Sequence, residues 1–287
     1  EVIVLYSEEE FYNELKNQSL ENELITFIKL TDKRYLHPFL VLITNNKQRK
    51  IIESYDAVIH FGNFGFKTKI KSLVLLQNVL PFVQQNIKNV LLKYFINRSI
   101  KFSEYVIVQL KHMNEIIEKK YRDKIIEIGE IEEVIVDASN KSGKIVFFGS
   151  EIPNKNYDFM VKTLQIISQN YTITVINPPK NIKEFNCVYT ETQDQTLSVI
   201  SENEIYIHAS EHETVGLPIY EAQNLGLKII IPKRPYSDYF KYENVFFYEY
   251  KNIDSAVQKI EEAKNLKLKH SKALLYNENW SKILEYI

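Results

Sequence analysis

The feature that most constrains the fold of this chain is the alternation of short apolar runs with longer amphipathic ones along most of its length. Runs such as Lys144–Phe148 and Val245–Tyr248 are short and rich in branched and aromatic residues, which predicts buried strands. The run Ile87–Phe102 repeats its apolar residues at helical spacing, which predicts a helix. Strands that alternate with helices form parallel sheets covered by helices. The sequence therefore predicts an α/β fold.

The alternation occurs in two series, which predicts two doubly wound domains in tandem. In the first series we predict strands or helices at Val2–Tyr6, Glu8–Lys16, Phe39–Thr44, Ala57–Phe61, Leu73–Leu76, Ile87–Phe102 and Tyr105–Gln109. In the second we predict them at Lys144–Phe148, Tyr157–Gln169, Tyr171–Ile176, Asn186–Tyr189, Gln195–Glu202, Glu204–His208, Leu217–Leu225, Lys228–Ile231, Val245–Tyr248 and Ile253–Asn265. The stretch Glu127–Gly143 lacks a clean periodicity, so we place the first domain at 1–135 and the second at 136–270. A terminal helix over Lys272–Ile287 completes the prediction.

Several classes of protein are excluded by what the sequence lacks. Cys187 is the only cysteine, so the chain has no internal disulfide and no cysteine-rich zinc site. No run of about 18 apolar residues is present, so no segment is predicted to span a membrane. Asp-x-Asp, Walker-lysine, G-x-G-x-x-G and His-Glu-x-x-His patterns are also absent. We expect no metal site, no cofactor, no nucleic-acid partner and a cytoplasmic location.

Charge is distributed unevenly, although the net charge is only -1. The stretch 57–103 contains no acidic residue, and its basic residues are Lys67, Lys69, Lys71, Lys88, Lys93, Arg98 and Lys101. Such a block attracts an anionic surface, either a lipid leaflet or a phosphate-bearing substrate. A solvated lysine face, balanced by acids elsewhere in the fold, is the alternative. The first interpretation places the protein at the inner face of the cell membrane.

The segment from His208 to Pro232 carries the strongest functional signal. A buried strand is predicted to end near Ser210, and a helix is predicted to begin near Pro218, since proline suits the first helical position. The backbone N–H groups of the residues just before and at the helix start, Thr214, Val215, Gly216 and Leu217, would then form an anion site for a diphosphate. Glu213 and Glu221 flank that site, and ionised carboxylates accept hydrogen bonds from sugar hydroxyls.

The segment resembles the E-x7-E region of glycosyltransferase family 4. The matching elements, in the family's order, are Ser210, Glu213, Gly216-Leu217-Pro218, Glu221-Ala222, Gly226 and Lys228–Ile231. The resemblance implies the GT-B architecture, in which two Rossmann-like domains face a cleft, with the acceptor on the first domain and the donor on the second. It also implies transfer with retention and without a metal. Glu213 would contact the donor sugar, and Glu221 the ribose.

An upstream segment, Lys144–Phe159, resembles the first strand and loop of the family's donor domain. The resemblance implies that Lys155 contacts the donor phosphates and that Gly149 and Ser150 lie beside them. Many relatives carry an arginine at the position of Ser150, so either Lys155 and the helix terminus suffice or another cation substitutes. Trp280–Tyr286 resembles the terminal helix that crosses back to the first domain.

Two features of the first domain complete the analysis. His60 follows an apolar strand, which predicts either a residue that assists the acceptor or a structural histidine. The family usually has a glycine-rich loop after its first strand, but here Val2–Tyr6 is followed by Ser7 and three glutamates. The chain also begins without a methionine, and we expect the family's first strand and loop to be absent from it.

The function that these observations predict is transfer of a sugar from a UDP- or GDP-sugar to a glycan or lipid-linked acceptor in bacterial surface polysaccharide synthesis. Two alternatives remain open. A nucleotide-sugar epimerase would consume donor without an acceptor. A non-catalytic homologue would bind nucleotide or glycan without turnover, which Ser150 and the missing loop make possible.

Overall fold

The computed structural model describes residues 2–6, 25–29, 50–139 and 143–287, the first two segments by their backbone. The chain folds into two units, which we call unit 1 (Glu1–Glu130 with Glu278–Ile287) and unit 2 (Ile131–Asn277). The division after Glu130 falls within the stretch where the domain link is predicted. The predicted helix Glu8–Lys16 and the predicted strand Phe39–Thr44 lie outside the described residues.

Unit 1 contains a parallel sheet of six strands. These are β1 (Val2–Tyr6), β2 (Ile25–Lys29), β3 (Ala57–His60), β4 (Lys71–Leu76), β5 (Tyr105–Val108) and β6 (Ile125–Glu127), in the order β2-β1-β3-β4-β5-β6. Its helices are α1 (Leu80–Val83), α2 (Ile87–Phe102) and α3 (Met113–Ile116), with 3-10 helices at Lys119–Lys124 and Trp280–Tyr286.

The core of unit 1 lies on both faces of this sheet, because side chains alternate between faces along a strand. Val74 and Leu76 of β4 pack with Ile96 and Ile100 of α2 on one face. Leu73 and Leu75 pack on the other face, with Ile283 of the Trp280–Tyr286 helix. The terminal residues therefore complete the core of unit 1.

Unit 2 contains the second parallel sheet, also of six strands. The remaining strands are β7 (Gly129–Asp137), β8 (Lys144–Phe148), β9 (Thr172–Ile176), β10 (Asn186–Val188), β11 (Ile205–Ile207), β12 (Lys228–Pro232), β13 (Val245–Tyr248) and β14 (His270–Glu278). The helices are α4 (Tyr157–Ile167), α5 (Gln193–Ser201), α6 (Leu217–Asn224) and α7 (Ile253–Asn265), with 3-10 helices at Pro153–Lys155 and Pro235–Tyr239. The sheet order is β10-β9-β8-β11-β12-β13.

The order of this second sheet contains a topological switch point. The chain runs outward from β8 through β9 to β10, then returns to place β11 on the other side of β8 and continues outward through β12 to β13. Loops that leave the carboxyl ends of β8 and β11 therefore diverge in opposite directions. Open α/β sheets bind ligands in the crevice that such a reversal leaves.

The sequence prediction was wrong at the end of the chain. Residues 270–278 form strand β14, which pairs with β7 in a two-stranded sheet, and only a 3-10 helix, Trp280–Tyr286, follows. Ser271 and Ala273 are buried whereas Lys272 between them is exposed, the period-2 pattern of a strand. The predicted link Glu127–Gly143 likewise contains β7, most of whose residues are exposed. The apolar runs of both strands, Val134–Val136 and Ala273–Tyr276, are short and are flanked by charged and polar residues.

None of the described helices combines the length and the apolar character that crossing a membrane requires. Within the same described ranges, no cluster of three or more His, Cys, Asp or Glu side chains is placed to hold a metal ion.

Candidate functional site

The candidate site lies at the switch point of unit 2. The loop that follows β8 contains Gly149, Ser150 and the 3-10 helix with Lys155. The segment that follows β11 runs from His208 to Gly216, where α6 begins. Because β8 and β11 are neighbouring parallel strands, both segments leave the same edge of the sheet.

Glu213 is the centre of this site. Its Oε1 atom lies 2.6 Å from Lys155 Nζ and 2.8 Å from His208 Nε2. The Glu213 side chain is 11% exposed and that of Lys155 33% exposed, so the carboxylate is enclosed while the ammonium reaches solvent. Two residues predicted from distant parts of the sequence are thus in direct contact.

The ionisation of Glu213 follows from these contacts. Burial by itself raises the pKa of the carboxyl, but the hydrogen bond from His208 and the adjacent Lys155 ammonium outweigh it and lower the pKa from 4.5 to about 2. Glu213 is therefore a carboxylate across the physiological pH range. A group with so low a pKa is a poor general base or acid near neutral pH, but a strong hydrogen-bond acceptor.

His208 is the neutral partner in this cluster. Burial lowers its pKa below the ordinary 6.5, against the opposing effect of Glu213. The ionised Glu213 carboxylate can only accept a hydrogen bond, and the Tyr206 hydroxyl, 2.9 Å from Nδ1, can donate one. Nδ1 is then the acceptor and Nε2 carries the hydrogen that is donated to Glu213. The hydrogen bonds thus assign the Nε2–H tautomer.

The loop that carries Glu213 is held by side chains from neighbouring segments. Asn154 donates from Nδ2 to the carbonyl of His212 (2.8 Å) and accepts at Oδ1 from the His212 N–H (3.0 Å). Asn156 donates to the Ala209 carbonyl (2.8 Å), and the hydroxyls of Tyr236 and Tyr248 donate to the carbonyls of Ser210 and His208. The position of the carboxylate is therefore set before any ligand binds.

The start of α6 lies directly beside Glu213. Gly216 adopts the left-handed conformation (φ 79°) as the N-cap, and a side chain there would stand 3.7 Å from Glu213 Cγ. Val215 is buried and Leu217 is exposed, while Thr214 is intermediate. Glu221, one turn along the helix, accepts a hydrogen bond from Gln193 Nε2 at 2.8 Å. The positive end of the helix and two carboxylates thus share one side of unit 2.

Gly149 and Ser150 have local structural explanations. A side chain at Gly149 would stand 2.4 Å from Pro178 Cα, so close packing of two loops by itself requires glycine. The Ser150 hydroxyl accepts the N–H of Ile152 at 3.2 Å. Ser150 also lines a groove of about 460 Å³, whose other walls are Glu151, Ile152, Pro153, Asn156, Tyr157, Asp158, Phe159, Pro179 and Lys180. The groove opens on the same loop as Lys155.

His60, the remaining predicted residue, lies in unit 1 and outside this cluster. It is 2% exposed and packs edge-on against Phe66 with ring centroids 4.6 Å apart. A side chain at Gly65 would stand 2.8 Å from the imidazole, so Gly65 leaves the space that the ring fills. This packing is consistent with the structural alternative for His60.

The overall fold is matched by solved structures. The structure of Anabaena HepE in complex with UDP and glucose aligns with a TM-score of 0.66 at 12% identity, over 92% of this chain and 82% of that one. WaaG, a glycosyltransferase involved in lipopolysaccharide biosynthesis, aligns with a TM-score of 0.64 at 10% identity, over 93% and 91%. The chain has the GT-B fold. TarM aligns at 0.59 with 15% identity over 79% of this chain, which spans only about half (51%) of TarM.

The GT-B assignment rests on this structural likeness together with the topology of the two sheets. No protein-family model matches the sequence, and no curated protein matches it. At identities of 10–15%, the likeness establishes the fold, and the chemistry of the site has to be argued from its own residues.

The structure brings two further residues to the candidate site that the sequence did not indicate. In the sequence, His208 marks only the end of a predicted strand. Its contact with Glu213 depends on how the loop folds back. Arg234, in the loop after β12, donates from Nε to the Glu211 carbonyl at 3.0 Å, and its guanidinium lies 4.7 Å from the centre of the Tyr250 ring. Arg234 thus brings a second cation into contact with the loop that carries Glu213. A search for cations just after successive strands could have found it.

Proposed function

We propose that this protein is a retaining glycosyltransferase whose unit 2 binds the nucleoside diphosphate sugar. The observation that carries the proposal is a buried, ionised Glu213, held by Lys155 and His208 beside the positive end of α6 at the switch point of a parallel sheet. This arrangement offers an acceptor for sugar hydroxyls next to cationic groups for phosphates.

The proposed roles follow from charge. Glu213 accepts hydrogen bonds from donor-sugar hydroxyls, and its fixed negative charge stabilises the oxocarbenium-like transition state. Lys155 and the N–H groups at the start of α6 stabilise the negative charge that grows on the departing diphosphate. Lys155 suits this task because its partly exposed ammonium, on a flexible stem, can contact phosphate while remaining near Glu213. Glu221 accepts hydrogen bonds from the ribose.

The cation that relatives have at Ser150 requires a substitute, and Arg234 is our candidate. Its Nε is bonded to the backbone of the Glu213 loop, and its Nη2 lies 3.8 Å from Glu211 Oε1, a distance beyond a direct hydrogen bond. The guanidinium can therefore turn toward a phosphate while it stays anchored through Nε. Arginine is well suited to bidentate binding of phosphate oxygens.

The donor that we favour is a UDP-sugar, with a GDP-sugar as the alternative. HepE, with the same fold, was solved with UDP and glucose, and WaaG is involved in lipopolysaccharide biosynthesis. By analogy, we propose that the acceptor is a glycan or a lipid-linked glycan of a bacterial surface polysaccharide. Transfer on this site requires no metal ion, since Lys155, Arg234 and the α6 terminus supply the positive charge.

The experiment that tests the proposal measures thermal stabilisation by UDP and by GDP, followed by hydrolysis or transfer from the matching sugar nucleotides. We expect one diphosphate to stabilise the wild type. Glu221→Ala should weaken that binding, and Glu213→Gln should reduce turnover about a hundredfold because it removes the charge but keeps the shape. Glu202→Gln, at an exposed helix end, is the matched control and should behave as the wild type.

The outcomes separate the proposal from its rivals. If neither diphosphate stabilises the protein, the donor site is wrong. Binding without turnover of any sugar nucleotide would favour the non-catalytic homologue. Consumption of donor without an acceptor, yielding an epimerised sugar, would favour an epimerase.

A further inference from the structure

The outer face of α2 carries an apolar and basic stripe. We define the outward stripe as Ile87, Val90, Leu91, Tyr94, Arg98 and Lys101. Its four apolar members are between 50% and 91% exposed, and both basic members are exposed. They recur at a helical spacing of three or four residues, so they lie on one side of the helix.

The inner face of α2 is already satisfied, so the outward stripe is not needed for folding unit 1. The buried residues of the helix are Asn89, Ile96, Ser99 and Ile100, which lie on the opposite side from Ile87 and Tyr94. Ile96 and Ile100 pack on the sheet, and the Ser99 hydroxyl donates to the Gly65 carbonyl at 3.2 Å. An exposed apolar cluster that folding does not require marks an interaction surface.

The charges around the stripe identify the partner. Lys88 and Lys93 are exposed beside its apolar half, Arg98 and Lys101 form its other half, and no acidic residue occurs in the stretch 57–103. Isoleucine, leucine, valine and tyrosine beside lysine and arginine are the composition of a helix that lies in the interface of an anionic bilayer. Apolar side chains enter the acyl boundary while the basic ones meet lipid phosphates.

A second copy of the chain is a poorer partner for this face. In a two-fold dimer the same patch meets itself, so Lys93, Arg98 and Lys101 would face a patch that carries basic residues and no acidic ones. Like charges brought together across an interface are unfavourable. Protein interfaces also exclude lysine from their cores, whereas here lysines adjoin the apolar residues.

We propose that the outward stripe of α2 docks unit 1 on an anionic lipid bilayer, with Ile87, Val90, Leu91 and Tyr94 inserted among the headgroups. This inference concerns a surface of unit 1 and does not depend on the donor site in unit 2. Docking at this face would bring the protein to a lipid-borne substrate.

The test is co-sedimentation of the full chain with vesicles of phosphatidylcholine alone and with vesicles that also contain phosphatidylglycerol. We expect binding to the mixed vesicles, weakened by salt, and little binding to the neutral ones. The charge variant Lys93→Gln, Arg98→Gln, Lys101→Gln should bind about a hundredfold more weakly, since each basic residue near an anionic surface contributes about a fivefold effect. Its control, Lys183→Gln, Lys267→Gln, Lys269→Gln, removes equal charge from exposed sites in unit 2 and should bind as the wild type.

The apolar half of the stripe needs its own variant. The variant Val90→Gln, Leu91→Gln, Tyr94→Gln places a polar side chain that favours helix at three exposed positions, so the fold should persist. Circular dichroism checks that it does. This variant should lose binding as well, while the control Ile135→Gln, Ile166→Gln, Leu284→Gln, on exposed apolar residues elsewhere, should not.

Four results would overturn the proposal. They are failure of the wild type to bind mixed vesicles, equal binding to neutral vesicles, equal loss of binding in a variant and its matched control, and unchanged binding in the apolar variant. Sedimentation velocity without lipid adds a fifth. If the wild type is a dimer that the apolar variant converts to a monomer, the face is a contact between copies and the lipid assignment is wrong.

Discussion

At the scale of single residues, the site depends on how three neighbours share charge. Glu213 is largely enclosed, yet it stays ionised because Lys155 and His208 both contact one of its oxygens. His208 contributes as a neutral hydrogen-bond donor, since burial lowers its pKa and Tyr206 donates to its other nitrogen. The single full positive charge beside the carboxylate within this cluster is therefore that of Lys155. Removal of the carboxylate would leave that cation without its buried partner.

The free energy of unfolding should depend on pH because Lys155 and His208 hold Glu213 as a carboxylate. The folded-state pKa of Glu213, about 2, lies below its ordinary value of 4.5, so its contribution to stability is fully present above about pH 4.5. It is lost as the pH falls from about 4.5 toward 2, because the unfolded chain takes up the proton first. The contribution that disappears is about 3 kcal/mol.

The measurement is chemical denaturation of the wild type and of Glu213→Gln between pH 7 and pH 2.5. The difference in unfolding free energy between the two proteins should be largest near neutral pH and should shrink below about pH 4.5. Both proteins also lose stability below the ordinary His208 pKa of 6.5, because the unfolded imidazole binds a proton that the buried one resists. A difference that stays constant with pH would mean that Glu213 is not held as a carboxylate by its partners.

At the scale of elements, the turn after α6 lies close to a second segment of unit 2. Gly226 has a φ of 76°, and a side chain there would stand 1.9 Å from the Asp137 carbonyl oxygen. The backbone of Asp137 cannot avoid such a side chain by changing rotamer, as another side chain could. The N–H of Ser139 also donates to the Gly226 carbonyl at 2.8 Å, which fixes the two segments together.

Gly143 offers a matched control for this contact. It has nearly the same φ, 77°, but nothing lies within 4 Å of the position that a side chain would take. Gly143→Ala should therefore lower the free energy of unfolding by about 1 to 2 kcal/mol, the cost of placing alanine in the left-handed conformation. Gly226→Ala bears that cost and must also move the backbone of Asp137, so its cost should be at least twice as large. Denaturant unfolding of both variants measures the difference, and equal losses would argue against the close contact.

The elements also show why some structure was predictable from the sequence and some was not. The helices Ile87–Phe102 and Ile253–Asn265 were predicted with their observed ends, since each follows an asparagine whose side chain caps it and each has helical periodicity. Strands β7 and β14 were missed because they pair with each other across more than a hundred residues. The apolar run in each segment is only three or four residues long and is flanked by charged and polar residues. Long-range pairing of that kind carries no local signal.

Some residues of the candidate site could be predicted from the sequence, but the contacts between them could not. Glu213, Glu221 and Lys155 could be named because the segments around them resemble the E-x7-E region and the donor-domain loop of glycosyltransferase family 4. The hydrogen bonds from Tyr206 and His208 and the approach of Arg234 depend on how loops from β8, β11 and β12 fold over one another. Such contacts are three-dimensional and have no fixed spacing along the chain. Sequence therefore identified the charged groups, and the structure adds how they are paired.

At the scale of the whole molecule, the two units have different tasks in the functions proposed above. Every residue of the proposed donor site lies within 131–277, whereas the outward stripe of α2 belongs to unit 1. Each unit has its own six-stranded parallel sheet and its own core. A ligand held by unit 2 alone should therefore stabilise the backbone of that unit selectively.

Hydrogen exchange in the presence of UDP measures that selectivity directly. A ligand at 100 times its dissociation constant adds about 2.7 kcal/mol to the free energy of any opening that abolishes binding. Amides of β8, β11 and α6 should therefore exchange more slowly with UDP, by up to about a hundredfold where exchange requires such an opening. Amides of β4 and α2 should keep their rates, and Glu221→Ala should weaken the protection in unit 2. Equal slowing in both units would mean that the nucleotide is not held by unit 2 alone, and that residues of unit 1 must be added to the donor site.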